Sequence, residues 1–551
     1  MIDEGVEVET LRIVVAGGGL AGLATALILQ QSGIKNVTVY ERDRDFDDRR
    51  QGYGLTLTRN LHGPLAKLGI LEECMSKNCT SNCHWVFNPD GDIKGYFGRA
   101  FDGEDVKTKE KAEQGGSLGN LRIPRQELRR MLLDKLGTGT VVWGHKLYDY
   151  EETDDKVKAV FVDSSTSIED DGDEDALSNP NCVECDILVG ADGLRSRVRQ
   201  LRDRKKFVEG KRASKLSGNY NESPTPLKYL GVSVIIGISS ACHPLLTKQG
   251  FYVLDGVHRL FTMPFREETD ESPPLHMWQL SFSGWSEEEF RQKLLSRDTL
   301  PDKCEGCTTR RGLTEPDMGK RLLAEAARRT KDWMAPVEQL VTNTRPEDVW
   351  GTPLYDRDPM WLLDTGASGS IPGSRVTVVG DASHPMSMFK GQGCNQALED
   401  GPLLAYWLRG RPSAAKTASG KLSRKVLLTR LRNFERQMVA RSSIKQRDSR
   451  AAAKRLHGLE LEAEEGSGTS SSSTKLVDFG FEGVAKEYRR MKKAGAGGSG
   501  YGREGNKSES EDVVACLLRT LQERRIGASD AEEIEAKVAQ CIEGLRESRL
   551  D

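Results

Sequence analysis

Hydrophobic residues along this chain fall into two kinds of run. The first is short and β-branched: "LRIVVAG" at 11–17, "NVTVYE" at 36–41, "CDILVG" at 185–190 and "SRVTVVG" at 374–380. Each is a strand apolar on both faces and closed by a turn residue. The second is helical. "LAGLATALILQQSG" at 20–33 is a small-residue helix stopped by Gly33, "RQELRRMLLDKLG" predicts a helix over 125–137, and "NQALEDGPLLAYWLRG" begins another. Strand, glycine turn, helix and strand within the first 41 residues make a βαβ unit, the building block of a doubly wound parallel sheet.

The pattern changes after about residue 204. "YLGVSVIIGIS", "GFYVLDGVHRLFTMPF" and "LHMWQLSFSGW" read as sheet strands, followed by helical stretches at 286–296 and about 318–340. Residues 141–190 read as hairpin material interrupted by the acidic insertion 163–181. The expected fold is α/β. A discontinuous Rossmann-like dinucleotide-binding domain comprises 10–203 and 346–410, and a second α+β domain comprises 204–345. A basic helix follows at 411–456, then a Gly/Ser-rich flexible linker at 457–510 and a helical, partly disordered tail at 511–551.

The 551 residues suffice for two or three domains. With 80 Lys and Arg against 83 Asp and Glu, the net charge of −3 makes no case for a nucleic-acid partner. A mean hydropathy of −0.54 is polar for a compact enzyme and agrees with solvated linkers. No apolar run approaches a membrane span and the N-terminus lacks a secretory pattern, so the expected location is the cytoplasm. The 11 cysteines read as reduced thiols. Cys182/Cys185 and Cys304/Cys307 have C-x-x-C spacing but lie far apart, and unrelated structural cysteines are the better reading; no metal is expected. Fifteen Lys and Arg stand against Glu435 and Asp448 between Arg409 and Arg455, a face expected to be solvated or packed on the first domain.

Candidate chemistry begins with G-x-G-x-x-G, a spacing the chain meets more than once. The copy at Gly495, Gly497 and Gly500 follows the charged "EYRRMKKA" and is linker. The copy at Gly17, Gly19 and Gly22 follows a buried strand, opens a helix and precedes an acid, Glu41, at the end of the next strand. Glycines there allow a tight turn and close approach of backbone N–H groups to a pyrophosphate at a helix N-terminus. The Glu41 carboxylate suits ribose hydroxyls and disfavours a 2′-phosphate, leaving FAD or NAD. The serine in "GGSLG" at 115–119 matches a hydrolase elbow in spacing only, since no apolar strand precedes it.

Further motifs decide between the two dinucleotides. "CDILVGADGLRSRVR" resembles the Asp-Gly motif of the class A flavoprotein monooxygenases, the family of para-hydroxybenzoate hydroxylase. "VTVVGDASHPMSMFKGQGCNQALED" resembles their Gly-Asp motif, with its proline and G-x-G-x-N helix start. "LRIPRQELRRMLL", "YERDRD" and "FERQMVARSSIKQRDSR" resemble other parts in the family's order, from about residue 10 to 455. The resemblance implies FAD held at its pyrophosphate by Gly17, Gly19 and Gly22 with Leu20 and Ala21 between them, and at its adenosine ribose by Glu41 with Arg42 beside it. It puts Arg125 near the phosphates and Asp192 near FAD and a passing nicotinamide. Gly380 and Asp381 go to the ribityl–pyrophosphate region, and the stretch from Pro385 through Gly391 and Gly393 to Asn395 lies along the isoalloxazine. N–H groups at that helix start suit the charge of a reduced flavin.

The implied activity is NAD(P)H- and O2-dependent hydroxylation or epoxidation of a small, aromatic or polycyclic substrate through a flavin C4a-hydroperoxide, NADH or NADPH serving as co-substrate. A reductase or oxidase of the same fold, or a non-catalytic flavin-binding interaction protein, are the alternatives. The W-x-W-x-I-P signature of flavin-dependent halogenases is absent. No obligate acid–base residue follows from the sequence: His384 and Lys390 lie near the expected flavin edge, where satisfied turn residues are the commoner reading. Substrate-lining positions are expected from 228–285 and from "GYGLTLT" at 52–58. Phe251, Phe261, Trp278 and Phe282 are candidates, for each of which core packing is at least as good a reading. Partners of the tail do not follow from the sequence.

Overall fold

A computed structural model describes residues 7–48, 52–81, 83–98, 119–165, 180–204, 226–269, 272–295, 316–363, 373–410 and 422–459. Most of the acidic insertion, the Cys304/Cys307 pair, the second glycine motif, the serine of "GGSLG" and everything beyond 459 lie outside them.

Five strands form a parallel sheet: β1 (Ile13–Ala16), β2 (Val37–Tyr40), β7 (Val141–Val142), β11 (Ile187–Gly190) and β17 (Val376–Val378), in the order β17-β11-β1-β2-β7. All four residues of β1 and of β11 are buried, as a parallel sheet covered on both faces requires. Helix α1 (Leu20–Gln31) crosses from β1 to β2 and is buried nearly all round because it is mostly Leu and Ala. It lies against α5 (Gly393–Arg409). A side chain on Gly401 would come within 2.9 Å of the Thr25 backbone, so Gly401 permits the close approach.

Strands β8 (His145–Glu152), β9 (Val157–Asp163) and β10 (Asn181–Cys185) form the expected antiparallel hairpin sheet. Cys182 is exposed and Cys185 buried on β10, and no group of metal-binding side chains occurs among the described residues. Strands β3 (Gly54–Thr58) and β6 (Asn120–Pro124) pair antiparallel, and α2 (Arg125–Asp134) follows β6 directly.

The second sheet has seven strands: β4 (Cys83–Phe87), β5 (Ile93–Gly98), β12 (Lys228–Ser239), β13 (Gly250–Leu254), β14 (His258–Arg266), β15 (Leu275–Ser283) and β16 (Thr344–Asp356). Their order is β16-β12-β15-β14-β13-β4-β5. It recruits strands from outside the 204–345 span expected for the second domain. β16 continues to Asp356 along β12, and β4 pairs in parallel with β13 at the other side, so segments distant in sequence satisfy backbone groups that would otherwise be open edges. One face packs against α3 (Pro316–Arg329) and α4 (Val337–Thr342); the other looks toward the parallel-sheet unit.

The basic region is α6 (Arg424–Leu456), capped by Ser423. Leu427, Leu431, Phe434 and Met438 form its buried stripe. Charged groups of this helix turn inward: Arg450 grips Asp356 at 2.7 and 2.8 Å, and Glu435 receives Arg202 at 2.6 and 3.1 Å. Among the described residues no helix is long and apolar enough to cross a membrane.

Candidate dinucleotide and substrate site

Adjacency in the parallel sheet builds the site. β1, β11 and β17 are neighbours running the same way, so the turns after them, carrying Gly17, Asp192 and Asp381, open side by side at the carboxyl ends of the strands. That edge is where open α/β sheets bind ligands.

The glycines of the first turn have different tasks. Gly17 has φ +115°, and a Cβ there would lie 2.4 Å from the Ala191 carbonyl oxygen. A Cβ on Gly22 would lie 1.9 Å from the Gly17 carbonyl oxygen. These two close the turn on the helix and the neighbouring strand. Around Gly19 the nearest atom is Arg125 Nη2 at 3.9 Å, so this stretch of backbone faces open space with a guanidinium across it. Leu20 is buried in the core, and Ala21 touches the position a Gly380 side chain would take.

Glu41 stands at the end of β2, 5% exposed. Its Oε2 accepts the Gly18 N–H at 2.5 Å and its Oε1 the Asp43 N–H at 2.9 Å. The carboxylate therefore already holds the glycine loop; each oxygen keeps a second lone pair for a further donor. Arg42 is exposed beside it. Arg129 on α2, buried, donates to the Gly18 carbonyl at 3.0 Å and to Asp43 at 3.2 Å. It braces the loop from behind, more than 80 residues away in sequence.

Asp192 spends one oxygen as a turn cap: Oδ2 accepts from the Arg197 and Val198 N–H groups at 2.6 and 3.2 Å. Its Oδ1 is buried with no partner, and burial raises its pKa against the pull of these bonds. Asp381 makes no hydrogen bond to a described residue and is solvent-accessible, yet desolvation by the walls around it raises its pKa against the pull of His384 and Arg125. A carboxylate both accessible and walled in lies in a cleft. Tyr53 shares it: 38% exposed, its phenol is raised by desolvation and lowered by Arg125. Cys394, at the start of α5, is pushed up to about 12, chiefly by burial.

The fourth turn is stitched to the sheet. Gly380 adopts φ +59° and a Cβ would meet Ala21 at 2.7 Å. Asp400 on α5 accepts the Gly380 N–H at 2.7 Å, pairs with His384 Nε2 at 2.8 Å and receives Arg441 from α6. Burial alone would raise Asp400; His384 and Arg441 hold it below the usual carboxylate range. His384 is thus fully buried in this network. Pro385 is buried, and Gly391 turns at φ +60° ahead of Gly393 at the helix start. The Asn395 side chain staples this turn to β3, accepting from Thr58 N at 2.9 Å and donating to the Thr56 and Gly391 carbonyls at 2.9 and 2.8 Å.

An FAD molecule fits what is present: open glycine backbone with Arg125 opposite, an orphaned acceptor on Asp192, an unbonded carboxylate on Asp381 and a glycine-rich helix start. Among the sequence-nominated residues, Gly17, Gly19, Gly22, Glu41, Arg125, Asp192, Gly380, Asp381 and Gly391–Asn395 come together along this edge. Tyr53, Arg129, Asp400 and Arg441 were not singled out for it. Their only sequence signal is proximity to motifs, because their partners are remote.

Beside the cleft lies the inner face of the seven-stranded sheet. It carries Ile236, Phe261, Met263 and Met277, with Met388 and Phe389 from the fourth turn packed against it. A Cβ on Gly54 would lie 2.7 Å from Met263, so "GYGLTLT" does border this face. Phe251, Trp278 and Phe282 point to the opposite face and are core; Phe261 alone of the four faces inward. Among this wall's apolar side chains stand Tyr252, His84 and Arg259, the last 3% exposed.

Residues 10–281 match the family model described as an FAD binding domain. The aurachin C monooxygenase/isomerase of Stigmatella aurantiaca is 25% identical over 402 residues, covering 72% of this chain and 80% of that protein. The 6-hydroxynicotinate 3-monooxygenase of Pseudomonas fluorescens is 24% identical over 407 residues, covering 73% and 83%. In fold the chain is similar to HpxO from Klebsiella pneumoniae, solved with FAD and uric acid: TM-score 0.56, 18% identity, 92% of this chain and 97% of that one. The glycine turn, the two aspartate turns and the glycine-rich helix start thus occur in a chain that matches an FAD binding domain over residues 10–281 and is similar in sequence to monooxygenases.

Proposed function

We propose that this enzyme uses NADH or NADPH and O2 to hydroxylate or epoxidise a small aromatic or polycyclic compound. The observation that carries the reading is the convergence of three neighbouring strand ends on one cleft that adjoins an aromatic- and methionine-lined sheet face. Bound FAD supplies the redox chemistry, passing electrons from the nicotinamide to oxygen so that one oxygen atom enters the substrate and the other leaves as water.

The chain's own residues bind, orient and exclude water. In this reading a Rossmann-like unit presents the Gly19, Leu20 and Ala21 N–H groups and Arg125 to the pyrophosphate, with Gly17 and Gly22 setting the turn. Glu41, held by Gly18 and Asp43, offers its remaining lone pairs to the adenosine ribose, with Arg42 at the rim. Asp192 Oδ1 and Asp381 accept from FAD hydroxyls. Gly380 keeps the turn of Asp381 tight, and Pro385 to Asn395 present the helix start to the isoalloxazine, where N–H groups stabilise negative charge on the reduced ring. Asp400, gripping Gly380, His384 and Arg441, is a positioning residue. The Met263–Met277–Phe261 wall excludes water from the reacting edge.

The test is to purify the protein, record the spectrum of bound flavin, and follow NADH and NADPH oxidation with phenolic and polycyclic substrates under ¹⁸O2. Bound FAD with label in the product is the expected result. Absence of FAD overturns the reading; turnover without label replaces it with a reductase or oxidase.

A further inference from the structure

The buried stripe of α6 changes character half way along. It runs through Leu427, Leu431, Phe434 and Met438, then continues at the same spacing through Ser442, Gln446 and Ser449 to Ala453. The three polar residues are fully buried. A hydroxyl or amide placed where a leucine would pack destabilises the fold unless it is bonded. Ser442 Oγ, Gln446 Oε1 and Ser449 Oγ nonetheless have no partner among the described residues, and neither has Arg441 Nε beside them.

The fourth turn lies opposite. Ser387 Oγ donates to the Ser449 carbonyl at 2.9 Å, and Asp400 binds both His384 Nε2 and Arg441, so residues 383–387 run along 441–449 of α6. This segment also leaves buried atoms unmatched, Ser383 Oγ and His384 Nδ1. His384 Nε2 donates to the Asp400 carboxylate, which leaves Nδ1 as the acceptor of a neutral ring. Hydroxyls that accept and donate, an amide oxygen, a ring nitrogen and a guanidinium N–H thus converge on one interface, and ordered water satisfies such a group of atoms. The outer end is marked by Asp356, held by Gln446 Nε2 at 2.5 Å and by Arg450, whose side chain is 22% exposed. At the inner end the His384 N–H donates to the Gly380 carbonyl at 2.9 Å, so His384 shares one tight turn with Asp381, which opens on the cleft.

Resting on the monooxygenase reading above, we propose that this seam between α6 and the fourth turn holds a file of ordered water and carries the one proton that each turnover takes from solvent, with the His384–Asp400 pair as its inner end. The overall reaction takes a hydride from the nicotinamide and a proton from solvent; one atom of O2 enters the substrate and the other leaves as water. The proton passes inward through water and the serine hydroxyls, each accepting one proton and releasing another. His384 Nδ1 takes it up while Asp400 balances the charge of the ring, and it leaves toward the cleft at Asp381.

The experiment uses the flavin-loaded full chain. Its crystal structure is expected to show water bridging Ser442 or Ser449 of α6 to residues 383–387; a dry seam overturns the proposal. NADH or NADPH oxidation is then followed in H2O and in D2O. Without a substrate the O2 goes to H2O2 with uptake of the same single proton, so the measurement does not wait on the substrate's identity. Ser442→Ala/Ser449→Ala is expected to slow oxidation about ten-fold, less than loss of a general acid would because His384 is kept. It is also expected to raise the solvent isotope effect above that of wild type, with flavin content and the KM for the nicotinamide unchanged. Met438→Leu, on the apolar part of the same stripe, is expected to change neither rate nor isotope effect. Each single serine substitution is read in the same way, so a double variant that fails to fold leaves the test intact. Wild-type rates in the serine variants, or slowing without a rise in the isotope effect, overturn the proton path. A chain that holds no flavin overturns the monooxygenase reading itself, and the spectrum recorded beforehand tells the two failures apart.

Discussion

The two faces of the seven-stranded sheet are built from the same strands and do opposite work. On the outer face Phe251, Leu260, Trp278, Leu280 and Phe282 are wholly buried under α3 and α4. The indole there is paired: Trp278 Nε1 donates to Thr344 Oγ1 at 2.8 Å, and that hydroxyl donates to the Leu340 carbonyl at 2.7 Å. On the inner face the next residues along the same strands are Arg259, Phe261, Gln279 and Ser281, and donors are left unmatched. An unmatched buried donor costs about 1–3 kcal/mol. The outer face lowers the free energy of the fold; the inner face gives some back and keeps groups ready for a ligand.

The largest expected effect lies on the outer face. Trp278→Ala removes a fully buried indole and leaves a cavity, for a loss of about 3–5 kcal/mol. Gly237 on the paired strand leaves no space for relief of the opposite kind: a Cβ there would meet the Trp278 ring at 2.4 Å, so Gly237→Ala is destabilising too. Leu280→Gln buries an amide without partners and belongs in the same range as the indole deletion. Denaturant midpoints of the flavin-loaded protein measure all three. If Phe261→Ala on the inner face costs as much as Trp278→Ala, the contrast between the faces is broken.

Acid should expose the inner side next. His84 is lowered to about 3 and His457, donating to or accepting from Ser281 at 2.9 Å, to about 4; burial is the chief cause for both. Their folded pKa values lie below the unfolded value of about 6.5. The unfolded chain therefore takes up protons first as pH falls. The stability these rings confer is complete above about 6.5 and is lost as pH drops toward the folded values, with a slope of about 1.4 kcal/mol per pH unit for each ring. Melting temperatures of wild type between pH 7.5 and 5 should fall more steeply than those of His84→Leu. Parallel curves would mean that His84 is not held neutral.

Much of this was readable in the chain itself, and the unread part has a physical reason. The β1–turn–α1–β2 unit, the two aspartate turns and the glycine-rich helix start are local: their spacing is their geometry. The division of Phe251, Phe261, Trp278 and Phe282 between faces depends on register, which links β13, β14 and β15, and an apolar run such as "VSVIIGIS" hides the period of two. Arg129 beneath the glycine loop and Arg441 on Asp400 depend on contacts across 111 and 41 positions. One signal was available: an arginine within "HRLFTMPF", a strand otherwise nearly free of charge, marks a buried cation that needs a reason.

A smaller effect tests the inner wall's tolerance. Phe261→Leu keeps the position apolar and should cost less than about 1.5 kcal/mol, while changing the affinity of ring-bearing ligands because the stacked His84 and Arg259 lose their partner. Thermal melts with and without a bound aromatic ligand separate the two consequences.

The smallest expected effect is the most exacting test of the comparison. Gln279 and Leu280 are neighbours on β15 with opposite orientations: Gln279 lies across from Phe261 and Ile236 on the inner face, Leu280 across from Leu260 and Ile235 on the outer. The Gln279 amide has a single weak contact, to Met277 Sδ at 3.8 Å, so it contributes little to the fold. Gln279→Leu replaces it with an apolar group of similar volume and should change stability by less than about 1 kcal/mol, in either direction. The adjacent exchange, Leu280→Gln, has the same change of chemistry reversed and should cost several times more. If the two exchanges cost the same, orientation on this sheet does not decide what a side chain is for. If Gln279→Leu is silent in denaturant and alters the binding of polar aromatic ligands, the inner face is a recognition surface whose polar groups are kept at no benefit to the fold.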